Sequence, residues 1–278
     1  GTWSSLWGHA REERSLFLEP SVDLIDQAIA AGVGRVLLAS TVAIGTPSRD
    51  GAGVPADDAP VERGYWPHLD ALVGVERHAH AVAGTGPAAT GLVSLRLGHF
   101  VGAGLSLGLV RLRTRMVPGV DGGRARMPLI AGEDLGRAFA LAALAPDLAG
   151  FTALPIVAAE QPTAREAIGL IADTAGVPRP AYSVPVRGAF GFGALMERLN
   201  PVLPGSSPFL TRALVHVGLD WPSDPLPARE LIGFEARVGW REAVAASIEE
   251  RRSAGFPWPE LTQRPTSPVI SRRASAPA

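Results

Sequence analysis

Three short apolar runs alternate with stretches of helical periodicity, and this alternation restricts the fold more than any other feature of the chain. The runs are RVLLAS from Arg35, GLVSLRL from Gly91 and TALPIV from Thr152. Each run is nearly continuous in apolar residues, which is typical of strands that are buried on both faces. Because helical stretches separate the runs, the strands are expected to be parallel and joined by crossover helices. The sequence therefore predicts an α/β protein built on a parallel sheet.

The ends of the helices are marked by caps and glycines. Ser21 is a candidate N-cap for a helix that Gly32 ends, and Thr163 with Glu166 forms a capping-box pattern before a helix that ends at Gly176. After Val177 proline becomes dense and the helices no longer alternate with buried strands. The predicted helices span residues 21–31, 67–83, 130–145, 163–176, 187–199, 207–217 and 238–254.

Composition excludes several classes of function. The 278-residue chain is 46% hydrophobic and 19% charged with a formal net charge of −1, which argues against a nucleic-acid binder that neutralises phosphates. It has no cysteine, so disulfides, thiolate nucleophiles and cysteine-based zinc sites are excluded. It also has no lysine, so all 26 basic residues are arginine and no Schiff-base or lysine proton-shuttle mechanism is available. Without a long apolar run or a signal-peptide pattern, we expect no membrane association and a cytoplasmic location.

Three of the six histidines lie in the stretch YWPHLDALVGVERHAHAV, which begins at Tyr65. On a helix, His78 and His80 point roughly 200° apart, so they cannot bind one metal ion from the same helix. A helical zinc pair requires spacing of four residues, and the stretch therefore predicts no metal site. By contrast, His68, Leu72 and Glu76 follow that spacing and share one helix face.

Several motifs occur in an order that resembles a known family. A helix leads to AGVGRVLLASTVAIG, a helix with Glu76 follows, and then come GLVSLRLGHFVGAG, a helix containing GEDLG, the capped TAREAIGLIADTAGVP and the late ARELIGFEARVGW. Over roughly residues 20–255, this order is similar to the extended short-chain dehydrogenase/reductases. That family includes the nucleotide-sugar epimerases and dehydratases and the 3β-hydroxysteroid dehydrogenases. The resemblance implies an α/β fold with an incomplete Rossmann-type parallel sheet and a smaller, mostly helical C-terminal substrate domain.

The same resemblance implies the domain limits. Residues 1–160 would form a partial NAD(P)-binding Rossmann domain, in which 103–128 make an excursion towards the substrate domain. Residues 161–256 would form the substrate domain, and 257–278 a disordered tail. The glycine-rich turn of the family and its first Rossmann half are expected upstream of the start of this chain.

The catalytic pattern of the family is matched unevenly. The family uses a Ser, and a Tyr with a Lys four residues later that lowers the tyrosine pKa and holds the nicotinamide ribose. Ser40 lies five residues before Gly45, as the family pattern requires. Alignment on Glu76 puts His68 in the tyrosine place and Leu72 in the lysine place. Tyr65, 25 residues after Ser40, is the other candidate for the phenol. The candidate catalytic residues are therefore Ser40, His68 and Tyr65.

Two of these assignments have a simpler alternative. Ser40 is equally explained as a hydroxyl that caps a turn at the end of a strand. His68 either acts as an acid or base near neutral pH or is a remnant in an inactive site. An unassisted Tyr65 has a pKa near 10 and is a poor base at neutral pH.

The cofactor implied by the resemblance is NAD or NADP. The positions expected to contact it are Gly1, Thr2, Ser40, Leu72, His99, Phe100 and Val101.

Two kinds of function remain open from the sequence. The first is an NAD(P)-dependent epimerase/dehydratase or oxidoreductase that acts on a hydroxyl or ketone of a small sugar-nucleotide or steroid-like substrate, either as a truncated form or as a fragment of a longer enzyme. The second is a non-catalytic scaffold of the same fold. The scaffold predicts a partner or a homodimer that covers the open edge of the sheet.

Overall fold

The computed structural model describes residues 9–48, 59–85, 90–101, 119–146, 148–200 and 210–253. The strands are β1 (Arg35–Thr41), β2 (Gly91–Leu97), β3 (His99–Val101), β4 (Gly119–Val120), β5 (Leu129–Ala131), β6 (Phe151–Ile156) and β7 (Ser183–Val184). The helices are α1 (Ala10–Glu13), α2 (Glu19–Ala30), α3 (Pro67–Val82), α4 (Gly132–Leu144), α5 (Ala164–Ala175), α6 (Val186–Leu199), α7 (Arg212–Val217), α8 (Leu226–Ile232) and α9 (Trp240–Ser253).

The main sheet has three parallel strands in the order β1-β2-β6. Ser40 of β1 lies beside Arg96 of β2, and Ser94 of β2 lies between Leu38 and Ala153 of its neighbours. Two further parallel pairs form between β3 and β5 and between β4 and β7. The predicted α/β class with parallel strands is confirmed.

Both faces of the central strand β2 are covered, which explains its continuous apolar sequence. Leu92 packs in a cluster with Ile25 of α2 and Val75 of α3. On the opposite face, Val93 packs in a cluster with Ala138 of α4. Helices therefore lie on both sides of the sheet, as parallel topology requires.

The capping-box prediction for α5 is confirmed. The Thr163 hydroxyl accepts from the backbone N–H of Glu166, and the Glu166 carboxylate accepts from the backbone N–H of Thr163. Gly176 ends the helix with φ +69, a left-handed conformation that glycine adopts without a Cβ penalty.

Four predicted helix starts were wrong, and the helices expected from residues 207 and 238 begin at Arg212 and Trp240. The first helix was expected to begin at Ser21, but helical structure begins at Ala10 and continues through a π-helical segment, Arg14–Leu18, into α2. Pro20 has no N–H to continue the α-helical ladder, and the turn before it is π-helical. The helix expected from Ile130 begins at Gly132, because the three residues before it pair with β3 as strand β5.

Apolar clusters join the two halves of the chain. Val101 and Leu129 pack in one cluster with Ala172 of α5 and Val244 of α9. The β4–β7 pair links the end of the predicted excursion, at Gly119, to Ser183 in the predicted substrate domain. The domain division at residue 160 stays a prediction.

Several predicted features lie outside the described residues. These are Gly1, Thr2, most of the excursion and the tail from residue 257 onwards. Within the described part of the chain, no helix is long and apolar enough to cross a membrane.

Candidate functional site

Ser40 lies at the carboxyl end of β1 with a buried hydroxyl. It is 7% exposed, and its Oγ has no hydrogen-bond partner among the described residues. The turn that follows is capped by Thr41 instead, whose Oγ1 accepts from the backbone N–H of Ala43 at 3.2 Å. The turn-capping explanation of Ser40 therefore does not hold. A buried hydroxyl without a partner is costly and needs another explanation, such as a ligand or a water.

His99 stands two residues beyond the end of β2. Its Nε2 is buried and likewise has no partner in the described part of the chain. Burial lowers the His99 pKa to about 4, and the nearby His216 lowers it further in the same direction. The ring is therefore neutral near pH 7. Phe100 and Val101 were also predicted to contact the cofactor. Phe100 is exposed, whereas Val101 is buried in the core.

His216 is a functional candidate that the sequence did not single out. It is 1% exposed, and burial lowers its pKa to about 4. Its Nε2 lies 2.9 Å from the carbonyl oxygen of Ala43. A carbonyl only accepts, so Nε2 carries the proton and Nδ1 is the acceptor. The Tyr65 hydroxyl lies 2.9 Å from that Nδ1 and must be the donor.

Tyr65 is therefore engaged in a structural link. Its ring packs edge-on against Phe190 of α6, and the Arg212 guanidinium lies 5.3 Å from its centroid. Burial, the largest effect, raises the pKa of the Tyr65 phenol, while the nearby Arg63 opposes this rise. Because its hydroxyl donates a hydrogen bond to His216 and its pKa is raised, Tyr65 is a poor base at neutral pH.

His68 occupies different surroundings from Tyr65. Its Nδ1 lies 3.0 Å from a carboxylate oxygen of Glu13, and the Phe17 ring packs against it at a centroid distance of 5.2 Å. The His68 side chain is 15% exposed and that of Glu13 only 2%. An imidazole with a carboxylate at one nitrogen is an arrangement that acid–base catalysis uses.

Leu72, the residue that the sequence pattern predicted at the lysine place, lies against apolar side chains. Leu72 packs against a buried cluster that includes Ile44, Leu69 and Ala213. A side chain in this position has no charge and no hydrogen-bond donor, so it can neither lower a phenol pKa nor hold a ribose hydroxyl.

Glu76 fixes the position of α3 on the sheet. Its carboxylate accepts from Arg96 Nη2 at 2.9 Å and Nε at 3.2 Å, and from the Ser94 hydroxyl at 2.5 Å. All three side chains are buried. Since His68 and Leu72 share the helix face of Glu76, this network also sets where those two side chains lie.

A cavity of about 440 Å³ opens on the α3 side of β6. Its charged lining groups are already paired, Glu76 with Arg96 and Arg77 with Glu62. It does not include Ser40 or His68. Its lining consists of Ala59, Pro60, Glu76, Arg77, His80, Arg96, Phe151 and Ala153.

The other histidines of α3 have ordinary roles. His78 contacts Asp26 of α2 at 2.7 Å, and the His80 ring packs edge-on against Phe151. In the described ranges, no group of three or more His, Asp or Glu side chains is arranged to hold a metal ion.

A nicotinamide dinucleotide requires polar groups near its reactive ring and an open helix N-terminus or glycine turn for its pyrophosphate. The unpartnered atoms of Ser40 and His99 fit the first requirement. Helices α3, α4 and α5, which follow β1, β5 and β6, do not meet the second requirement, because their first turns are acidic. They contain Asp70 in α3, Glu133 and Asp134 in α4, and Glu166 in α5.

Sequence reasoning missed Glu13 and His216. His216 gave a weak signal, a histidine inside the apolar run ALVHV. Glu13 gave none, because its partner is 55 residues away along the chain.

No family model and no curated protein matches this chain. Solved structures do. One is MoeE5 in complex with UDP-glucose and NAD, at 23% identity and a TM-score of 0.65 over 91% of this chain and 77% of that one. Another is the dTDP-glucose 4,6-dehydratase DesIV from Streptomyces venezuelae with NAD and TYD bound, at 18% identity and a TM-score of 0.64 over 91% and 72%. A third is UDP-glucuronic acid 4-epimerase from Bacillus cereus with UDP-glucuronic acid and NAD, at 13% identity and a TM-score of 0.60 over 85% and 67%.

These three structures are extended short-chain dehydrogenase/reductases with a Rossmann fold, the family that the sequence resembles. Identities this low are evidence of shared architecture rather than shared substrate. The chain thus has the fold of the extended short-chain dehydrogenase/reductases.

Proposed function

We propose that this protein is an NAD(P)-dependent epimerase/dehydratase-like or oxidoreductase-like enzyme that acts on a hydroxyl or ketone, with His68 and Leu72 in place of the usual Tyr and Lys. The observation behind the proposal is the pair of buried polar atoms on Ser40 and His99, neither of which has a hydrogen-bond partner among the residues that the structure describes. They lie near the carboxyl ends of neighbouring parallel strands, where ligands bind in open α/β sheets.

In this proposal the residues have separate roles. Oxidising a hydroxyl requires that its proton and a hydride from its carbon both leave. The Ser40 hydroxyl would donate a hydrogen bond to the substrate oxygen, and His68 would take the proton. A bound NAD(P)⁺ would supply the acceptor for the hydride and become NAD(P)H.

A sugar nucleotide is the first substrate class to test. The solved structures of the same fold include proteins in complex with UDP-glucose, UDP-glucuronic acid and UDP. The half-buried and apolar side chains of α6 near Tyr65 fit a steroid-like ketone as a second class.

The test is turnover of UDP-glucose and UDP-glucuronic acid with NAD⁺, followed by proton NMR of the sugar. Ser40→Ala should lower the rate on the order of 10²-fold, the usual effect of losing one donor to a developing oxyanion. Ser247→Ala is the matched control, because it removes another buried hydroxyl that bonds only within α9. Equal rates for the two variants would rule out a role for Ser40.

Binding of the dinucleotide is expected to be weak. The acidic first turns of α3, α4 and α5 would repel a pyrophosphate, so we expect NADH to bind no better than in the high micromolar range. Isothermal calorimetry measures this directly. A micromolar or tighter NADH complex would refute the expectation of weak binding.

A non-catalytic scaffold is the second candidate, and the packing of the partly buried Leu72 against apolar side chains favours it. It predicts a second copy or another partner on exposed apolar side chains such as Leu16 and Leu24, which are 67% and 64% exposed. Light scattering that finds a stable monomer, together with no binding of a hydrophobic dye, would count against the scaffold.

A further inference from the structure

Glu13 is almost completely buried, and its carboxylate meets the imidazole of His68. An ionised carboxylate only accepts hydrogen bonds, so the contact of 3.0 Å places the proton on His68 Nδ1. In the neutral ring this leaves the lone pair on Nε2, the nitrogen that would accept a proton from a substrate.

The helices hold this pair in a fixed geometry. The π-helical segment Arg14–Leu18 begins directly after Glu13, and such segments are frequent at functional sites. Leu18 sits against Gly74 of α3, where an added Cβ would lie 2.7 Å from Leu18 Cδ1. The missing side chain at Gly74 therefore lets the segment press closely on α3. Phe17 adds a ring contact tilted by 52° that limits rotation of the imidazole.

We propose that Glu13 is the positioning residue for His68 in the reaction, an inference that rests on the proposed function. In this role His68 Nε2 would take the proton of the substrate hydroxyl, and a bound NAD(P)⁺ would supply the acceptor for the hydride of the same carbon, leaving a carbonyl and NAD(P)H. The imidazolium that results is stabilised by the Glu13 carboxylate. In the reverse direction the imidazolium returns the proton to the oxygen.

The negative charge of Glu13 agrees with the proposed exchange of the usual Tyr and Lys for His68 and Leu72. A tyrosine acts as a base only after losing its own proton, and the phenolate needs a cation beside it, which the family supplies as lysine. A histidine base becomes a cation and needs an anion. Leu72 supplies no cation, whereas Glu13 supplies an anion. Both features suit a site in which an imidazole takes the place of the phenol.

A purely structural ion pair between two helices is the alternative to this role. The chain contains a matched example, because His78 of the same helix contacts Asp26 of α2 at 2.7 Å. Asp26 is 52% exposed, and the Glu13 side chain 2%. If both pairs only hold helices together, changing Glu13 and changing Asp26 should affect the reaction rate alike. If Glu13 has a role in the reaction, only the change at Glu13 should lower the rate.

The test combines heteronuclear NMR of the imidazole nitrogens with kinetics of UDP-glucose turnover in four proteins: the wild type, Glu13→Gln, Glu13→Asp and Asp26→Asn. NMR should show His68 protonated on Nδ1 in the wild type, and Glu13→Gln should weaken that preference. Glu13→Gln should lower kcat on the order of 10²-fold with KM within about twofold, and should move the acidic limb of the pH–rate profile. Glu13→Asp should recover part of the rate, and Asp26→Asn should leave it unchanged.

The outcomes are distinguishable. A His68 ring protonated on Nε2 alone, or one that does not respond to Glu13→Gln, would overturn the inference without any turnover measurement. Wild-type kinetics in Glu13→Gln would overturn it as well. If Ser40→Ala and His68→Phe both left turnover unchanged, the proposed function itself would fail, and the role of Glu13 with it. Circular dichroism shows whether each variant is folded, so that a slow but folded variant has lost a role in the reaction and not its structure. Glu13→Asp is the conservative change in this comparison.

Discussion

Replacing Glu76 with Gln should destabilise the protein far more than the same change at a surface pair. The Glu76 and Arg96 side chains are 2% and 5% exposed, and they form a two-pronged ion pair that Ser94 completes. Removing one partner of a buried pair costs about 3–5 kcal/mol, because the remaining charge stays buried without its counter-charge. For a chain of this size, that loss corresponds to a fall in Tm of roughly 6–20 °C.

The control is Glu62→Gln. Glu62 pairs with Arg77 of the same helix α3, but these side chains are 58% and 52% exposed, so the expected loss is about 0–1 kcal/mol. Urea unfolding of both variants by circular dichroism gives the two free energies on one scale. A double change of Glu76 and Arg96 to Met should cost less than Glu76→Gln alone, because no unpaired charge remains. If Glu76→Gln unfolded at the urea midpoint of Glu62→Gln, the argument from burial would be wrong.

Three further predictions concern stability. The His216 pKa falls from 6.5 unfolded to about 4 folded, so the unfolded chain binds more protons between these values; as pH drops from 6.5 to 4, His216 should cost about 3 kcal/mol of stability, and His99, whose pKa is lowered to the same value, should add a similar cost. His216→Gln should flatten that part of a urea midpoint–pH curve, and an unchanged slope would contradict the assignment. Gly98→Ala should cost at least about 1–3 kcal/mol, since its Cβ would lie 2.2 Å from the backbone oxygen of Pro128; Gly136→Ala in α4, with nothing within 4 Å, should stabilise by roughly 0.5–1 kcal/mol. Thr163→Ala should cost about 1 kcal/mol in thermal unfolding through loss of the α5 cap, and an unchanged Tm would argue against that cap.

The main sheet was predictable because its signals are local. Strands β1, β2 and β6 are six or seven residues long and almost wholly apolar, and α3 and α5 end close to the predicted positions. The short strand β5 was not predictable, because three residues are too few to show a period. Its pairing with β3 depends on the rest of the fold.

The candidate site was only partly predictable, for the same physical reason. The spacing from Ser40 to Gly45 and the face shared by His68, Leu72 and Glu76 are local patterns and can be read along the chain. Whether Ser40 has a hydrogen-bond partner is a property of its surroundings, and only the structure places its hydroxyl in a buried position with no partner in the described part of the chain.

By itself, the sequence determined the parallel α/β sheet and the absence of any lysine, and it led to the proposal that His68 and Leu72 replace the usual Tyr and Lys. Only the tertiary structure decided how the two candidate bases differ. Tyr65 is joined to His216 across 151 residues, and His68 to Glu13 across 55. Contacts between residues so far apart in the chain exist only after the helices have packed, because no periodic pattern encodes which buried polar groups will meet.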